Sequence, residues 1–149
     1  MTSWRFLVKR TEDAKDLPLP SRMTAGSAGL DLYANIKETA LIEKGGRMLV
    51  PTGICIALPF GFEAQVRPRS GLALSHGVTM LNSPGTVDPD YRGQLSVLLV
   101  NLGDDTFPIS RGDRIAQLVI VRFETEELVE VDSLPETNRG TGGYGSTGS

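Results

Sequence analysis

Short runs of apolar residues alternate with turn-forming residues along most of the chain. Residues 95–100 and 115–121 are largely apolar on both faces, and glycine, proline, asparagine and aspartate separate the runs. This pattern is typical of β-strands, and almost no helical periodicity accompanies it. Strands buried on both faces require sheet to pack on sheet, which favours a sandwich, a jelly roll or a barrel. The predicted strands are an opening segment with Trp4, Phe6 and Val8, then residues 29–36, 48–51, 54–58, 62–68, 94–101, 114–123 and, more weakly, 127–131.

One short helix is predicted over residues 71–76. Ser70 is suited to be its N-cap, and Gly77 is suited to end it. Arg69, Ser70 and Gly71 would then lie where free backbone N–H groups and the helix dipole meet. Such a place is favourable for an anion.

The composition predicts a single cytoplasmic domain. The chain has 149 residues, which is enough for one hydrophobic core. Its 15 Lys and Arg against 18 Asp and Glu give a net charge of -3, which argues against a general nucleic-acid or membrane-surface binder. Cys55, the only cysteine, lies in an apolar run and is expected to be an inert thiol. We find neither a secretory leader nor an apolar segment of membrane-spanning length.

The C-terminal residues 139–149 combine many glycines with Arg139 and Tyr144. Glycine lets backbone N–H groups approach phosphate oxygens, and an arginine guanidinium offers a planar fork of donors to them. A phosphate-binding P-loop would need a preceding strand, a following helix and a Lys-Ser/Thr pair, none of which is present. We therefore expect a domain over residues 1–132 and a flexible arm over 133–149 that closes on a ligand. The alternative is a disordered Gly/Ser terminus.

Residues 82–93 form a second informative segment, which is rich in proline and glycine and predicts a rigid hairpin. The Asn82 amide has both a donor and an acceptor, as recognition of a uracil edge requires. The Asp88 carboxylate is able to take a proton from an attacking water. By themselves these residues fit an ordinary turn better than a site, because Asp, Pro and Gly dominate turns.

Five segments of the chain, taken in order, resemble the five motifs of the trimeric dUTP diphosphatase (dUTPase) family. The resemblance runs from near residue 25 to the end of the chain, and five weak motifs in the right order are together specific. The segments are residues 28–33 (AGLDLY), 68–73 (PRSGLA), 85–93 (GTVDPDYRG), 111–118 (RGDRIAQL) and the Gly-rich 139–148.

The resemblance implies a jelly-roll-like distorted β-barrel, all-β with one short helix, assembled as a homotrimer that exchanges its C-terminal arms. It implies that dUTP is hydrolysed to dUMP and pyrophosphate, which supplies dUMP for thymidylate synthesis and keeps uracil out of DNA. It also implies that Asp88 is the base that activates water for attack on the α-phosphorus. Mg²⁺ is the implied cofactor, held mainly by the triphosphate, with Asp31 as an outer-shell ligand through water.

The substrate-binding residues that the resemblance implies fall into three groups. Asn82 with Gly85, Thr86 and Val87 would recognise uracil, and Tyr91 would pack beneath the deoxyribose and leave no room for a 2′-hydroxyl. The phosphates would be held by Arg69, Ser70, Gly71 and Gln117. The arm would supply Arg139 to the γ-phosphate, Tyr144 to the uracil ring, and Gly145, Ser146 and Thr147 over the phosphates.

Two alternatives are weaker. The dCTP deaminases share the fold, but they place a glutamate in the strand after the hairpin, where this chain has Leu98. A non-catalytic nucleotide-binding regulator would be expected to lack the base or the arm arginine, and both are present as Asp88 and Arg139. Arg114 is interpreted as a residue that shapes the turn before the last long strand rather than as a ligand contact.

Overall fold

The computed structural model describes residues 4–144, which contain eleven β-strands, one short 3₁₀ turn at Glu12–Ala14 and one α-helix. The strands are β1 Leu7–Arg10, β2 Leu30–Tyr33, β3 Ala40–Ile42, β4 Arg47–Pro51, β5 Ile54–Ala57, β6 Phe62–Arg67, β7 Val78–Met80, β8 Gly85–Val87, β9 Ser96–Asn101, β10 Phe107–Ile109 and β11 Arg114–Arg122. The helix, α1, spans Ser70–His76.

The strands pair antiparallel in four sheets. The largest has the order β2–β11–β6–β8, the second has the order β4–β9–β7, and β1–β5 and β3–β10 form two-stranded ribbons. One apolar core lies among them, built from inward-facing aliphatic side chains such as Leu32, Val50, Val97, Leu99 and Ile115. The prediction of an all-β, jelly-roll-like fold with one short helix is confirmed, although the described strands form separate sheets rather than a closed barrel.

Within residues 4–144, no helix is both long and apolar enough to cross a membrane.

The helix begins one residue earlier than the sequence predicted. Ser70 was expected to be the N-cap, but Ser70 is the first helical residue, and Arg69 takes the extended N-cap conformation with φ −96° and ψ 127°. No side chain caps this end of the helix. The other end is as predicted, since Gly77 adopts a left-handed conformation with φ 67° that is favourable for glycine.

The weak strand predicted over residues 127–131 is not a strand in the structure. These residues have no regular secondary structure and are exposed, with Leu128 at 98% and Val129 at 76% exposure. A strand needs a hydrogen-bonding neighbour, and a single copy of the chain offers none to this segment.

A polar network around Arg111 fastens the 3₁₀ turn to the loop between β10 and β11. The guanidinium donates to Asp16 through both Nε and Nη2, and it donates through Nη1 to Asn35 Oδ1 at 2.6 Å. The Asn35 amide in turn donates to Asp13 Oδ2 at 3.1 Å. The hydrogen bonds from Arg111 lower the pKa of Asp16, and those from Thr11 and then Asn35 lower the pKa of Asp13.

This network predicts a loss of stability in acid. Because the pKa of Asp16 is lower in the folded chain than in the unfolded chain, its stabilising effect is complete above about pH 4 and declines as the pH falls further. Asp16→Asn should therefore lower the thermal midpoint at pH 7. The difference between variant and wild type should shrink as the pH falls below about 4, because protonation of Asp16 weakens its hydrogen bonds with Arg111. A difference that is constant between pH 7 and pH 3 would contradict the assignment.

Candidate functional site

The register of the largest sheet brings three of the resemblance motifs together. In β11, Gln117 lies opposite Asp31 of β2 on one side and opposite Arg67 of β6 on the other. Residues directly opposite in neighbouring strands point to the same face of a sheet. The first, second and fourth motifs therefore meet on one polar face, beside the end of β6 where the chain turns into α1.

A β-bulge in β11 adds a second arginine to this face. The register shifts between Arg114 and Ala116, and Ile115 and Ala116 are both buried although they are consecutive. A bulge inserts one extra residue and reverses the facing of those beyond it. Arg114 consequently lies on the same face as Asp31, and its Nη1 donates to Asp31 Oδ2 at 3.1 Å.

Asp31, Arg69 and Arg114 form a compact group, which we call the arginine cluster. Arg69 donates through Nη1 to the backbone oxygen of Arg114 at 2.9 Å, and its Nε lies 3.9 Å from Asp31 Oδ1. The Asp31 side chain is only 12% exposed, whereas those of Arg69 and Arg114 are 27% and 42% exposed. The cluster therefore presents two cations around one buried carboxylate, and its excess positive charge suits an anion.

The Gln117 side chain lies beside this cluster in a fixed orientation. Its Nε2 donates to the backbone oxygen of Pro68 at 3.1 Å. A cavity of about 420 Å³ opens here, lined by Gln65, Arg67, Pro68, Ser83, Pro84 and Gln117. Ser70 and Gly71 are exposed on the first turn of α1, directly after Arg69.

The predicted hairpin begins with β8 and continues into the loop that displays Asp88 and Tyr91. Both side chains are exposed, and both border a cavity of about 340 Å³. The Tyr91 hydroxyl donates to the backbone oxygen of Gln94 at 3.2 Å, and its ring lies over Gly93, where an added Cβ would come within 2.3 Å of the hydroxyl oxygen. The cavity is lined by Leu49, Val66, Thr86, Val87, Asp88, Tyr91, Gln94, Leu95 and Ser96.

The other residues predicted for the hairpin lie just before β8 and along it. Asn82 is exposed just before β8, and its amide nitrogen faces Gly85, which is buried. The structure therefore groups Asn82 with Gly85, Thr86 and Val87 along one short strand, while Asp88 and Tyr91 follow at its far end.

Within one chain, Asp88 and the arginine cluster are far apart. Val87, the residue before Asp88, pairs with Ala64, whereas Gln117 pairs with Arg67 at the other end of β6. Three residues of an extended strand span roughly 10 Å, and the two strand spacings from β11 to β8 add about 10 Å across the sheet. One copy of the chain thus has two half-sites. The first consists of the Asp88 carboxylate and the Tyr91 ring, and the second consists of the arginine cluster and the Gln117 amide.

The described part of the C-terminal arm is exposed. Arg139 Nε donates to the backbone oxygen of Gly142 at 2.8 Å, and Tyr144 is fully exposed. Gly145, Ser146 and Thr147, which the resemblance also implied, lie outside the described residues.

The metal-ligating side chains of the described residues suit a cation that is held mainly by a bound small molecule rather than by the protein. Among residues 4–144, no group of three or more His, Cys, Asp or Glu side chains could form a protein cage for a metal. Asp31 accepts one bond from Arg114 and lies close to Arg69, and a carboxylate with about four lone-pair sites keeps capacity for water. That arrangement fits an outer-shell contact to a hydrated Mg²⁺, because Mg²⁺ retains several of its waters.

Arg114 was not among the site residues predicted from the sequence, although the structure places it beside Asp31 and Arg69. It was interpreted as a turn residue because it stands next to Gly112 and Asp113, and strict alternation along β11 would have pointed its side chain into the core. Adjacent apolar residues at Ile115 and Ala116 gave no distinct signal, because residues 118–121 of the same strand are also consecutive apolar residues. Such a pair indicates a bulge only when the partner strand is known.

Comparisons with known proteins agree with the five-motif resemblance. A family model described as dUTPase matches residues 15–148. A deoxyuridine 5′-triphosphate nucleotidohydrolase from Thermoanaerobacter sp. is 55% identical over 141 residues, with 95% of each chain covered. One from Beijerinckia indica subsp. indica is 56% identical over 146 residues, covering 97% of this chain and 91% of the relative.

Solved structures show the same fold. A variant dUTPase of Staphylococcus bacteriophage 80alpha with dUpNHpp matches with a TM-score of 0.87 at 24% identity, covering 97% of this chain and 99% of the phage chain. A variant dUTPase from phage phi11 of S. aureus, which coordinates a structural Mg(II) ion, matches with a TM-score of 0.78 at 22% identity, covering 89% of this chain and 99% of the other.

Proposed function

The chain belongs to the dUTPase family and is a hydrolase of dUTP, and we propose that it releases dUMP and pyrophosphate at a site divided between copies of the chain. The observation that carries this function is the family match over residues 15–148, together with two relatives above half identity that are named as dUTP nucleotidohydrolases.

Asp88 is the proposed general base. It is exposed at the end of β8 and borders the cavity that Tyr91 also lines. A carboxylate in this place is able to orient a water and take its proton as the water attacks the α-phosphorus. The bond from the α-phosphorus to the bridging oxygen then breaks, and pyrophosphate leaves.

The hairpin is the proposed nucleoside pocket. The Asn82 amide and the backbone of Gly85, Thr86 and Val87 supply donors and acceptors for the uracil edge. Tyr91 lies against the sugar and leaves no space for a 2′-hydroxyl. Its fixed position over Gly93 supports this role, because a ring that could move aside would not discriminate against ribose.

The arginine cluster is the proposed triphosphate site. Arg69 with Ser70 and Gly71 holds the phosphates at the first turn of α1, Arg114 adds a second guanidinium, and Gln117 positions phosphate or water. Asp31 would hold a hydrated Mg²⁺ through water, and the ion would supply charge neutralisation for the triphosphate. Positioning and charge neutralisation are the main contributions expected of these residues.

We infer a homotrimer, as the resemblance to the trimeric family implies, and the separation of the two half-sites supports a site shared between copies. Asp88 and the arginine cluster lie too far apart within one chain to act on one phosphate ester, so the hairpin of one copy has to meet the cluster of another. Closed rotational symmetry repeats such a head-to-tail contact until the ring is complete, and three copies make three equal sites. An apolar stripe across the second sheet supports burial against other copies: the exposed Leu49 lies opposite the half-buried Leu98, whose backbone oxygen accepts from the N–H of the exposed Leu81.

The segment 124–134, which leads into the C-terminal arm, is proposed to cross to a neighbouring copy. The segment 124–134 exposes Leu128, Val129, Val131 and Leu134, which is unfavourable in an isolated chain. An apolar groove of about 530 Å³ beside β1 includes Trp4, Phe6 and Phe62, and among the described strands β1 pairs only with β5. The segment of one copy could therefore pair with the free edge of β1 on another.

Beyond this crossing, the arm closes the site. Arg139 is proposed to pair with the γ-phosphate and Tyr144 to stack on uracil, while Gly145, Ser146 and Thr147 cover the phosphates. Because residues 133–144 add almost nothing to the core, their order is gained on docking and is available to follow substrate.

Replacement of the base tests the reaction. Pyrophosphate release should be fast with dUTP and Mg²⁺, and slow with UTP, dTTP and dCTP. Asp88→Asn should reduce turnover of dUTP by at least about 100-fold while dUTP still binds, because the amide cannot accept the proton. Asp90→Asn, two residues away in the same exposed loop, is the control and should retain turnover. Wild-type turnover by Asp88→Asn would reject Asp88 as the base, and equal rates with all four nucleotides would reject the nucleoside pocket.

The size of the native protein tests the assembly. Light scattering should give the mass of three 16.0 kDa chains at micromolar concentration. A chain that ends at residue 138 keeps the crossing segment and should remain a trimer with a nearly unchanged thermal midpoint, but it should lose most activity. A monomeric full-length protein would contradict the divided site, and a fully active shortened chain would contradict the role of the arm.

A further inference from the structure

Gly29 lies directly before β2 and faces the side chain of Gln117 in β11. A Cβ added at Gly29 would be 2.1 Å from Gln117 Oε1, 3.0 Å from its Cδ and 3.2 Å from its Cβ. Favourable contacts between carbon atoms begin near 3.5 Å. The Gln117 carboxamide therefore occupies the volume that any other residue at position 29 would fill.

The orientation of this carboxamide is set from the opposite side. Gln117 Nε2 donates to the backbone oxygen of Pro68, which only accepts hydrogen bonds. The NH₂ group is thereby directed to the loop that carries Arg69, and Oε1 is directed over Gly29. One N–H of the amide remains available to donate to phosphate or water, and the oxygen remains available to accept from water.

The backbone at position 29 does not itself require glycine. Gly29 is not among the glycines with positive φ, so alanine is able to adopt its conformation. The closest obstacle is the end of a flexible side chain, and Gln117 Cβ would need to move by only a few tenths of an ångström. An added methyl group would mainly displace the carboxamide and leave the sheet in place.

We propose that Gly29 is a positioning residue for the reaction, and that its missing side chain is what seats the Gln117 carboxamide against Pro68. The proposal rests on the role of Gln117 in the proposed function. It explains the glycine before β2 by a side chain on the neighbouring strand β11, rather than by the turn that Gly29 follows.

A double-mutant cycle tests this proposal, with Gly29→Ala, Gln117→Ala and the double variant measured on dUTP with Mg²⁺. Gly29→Ala should lower kcat by roughly 10- to 100-fold with a much smaller change in KM, since displacement of a positioning group by about 1 Å has effects of this order. The double variant should be no slower than Gln117→Ala alone, because Gly29 acts only through Gln117.

Gly26→Ala is the matched control, since no atom lies within 4 Å of a Cβ added there and its φ is not positive. It should keep wild-type kcat, and Gly29→Ala should unfold within a few degrees of it. The proposal would be overturned if Gly29→Ala kept wild-type kcat, or if it lowered kcat equally in the wild type and in the Gln117→Ala variant. Either result would leave the diphosphatase activity itself unchallenged. Wild-type kcat in Gln117→Ala would overturn the role of Gln117 itself, and no turnover of dUTP by the wild type would overturn the proposed function.

Discussion

The pairing of β11 with β2 on one side and with β6 on the other is the constraint on which the site depends. Because Gln117 is opposite both Asp31 and Arg67, one strand aligns three segments that are distant in sequence. The bulge at Ile115 then turns Arg114 to the same face, and the ion pair with Asp31 holds it there. A slip of one residue in this register would send the polar side chains into the core.

The same register keeps the two half-sites apart within one chain. β8 lies on the far edge of the sheet and carries the hairpin away from β11, so Asp88 is kept apart from the arginine cluster. Within a single chain, this separation prevents an ion pair between Asp88 and the arginines of the cluster. Under the proposed assembly, the triphosphate enters between the two half-sites and separates their charges.

Much of this could be predicted from the sequence, because strands, turns and short motifs depend on local residue order. The longer strands and the end of the helix at Gly77 were predicted close to their observed bounds, whereas the three-residue strands β3, β7, β8 and β10 were not predicted as strands. The order of five motifs was enough to identify the family. What depends on partner strands could not be predicted. The bulge that exposes Arg114 is visible only once β2 is known, and residues 127–131 have strand character but no neighbour in a single chain. Ser70 was a reasonable N-cap by residue type, yet the extended conformation falls on Arg69, which follows Pro68.

Mixed oligomers test the divided site most directly. Asp88→Asn and Arg69→Ala remove one half-site each, so pure trimers of either variant should be nearly inactive. In trimers formed from equal amounts of the two chains, a site is intact when an Arg69→Ala chain supplies the hairpin and an Asp88→Asn chain supplies the cluster. Random assembly makes about one quarter of the sites intact, and the mixture should recover about that fraction of wild-type turnover. No recovery above the two pure variants, in oligomers shown to contain both chains, would contradict the account.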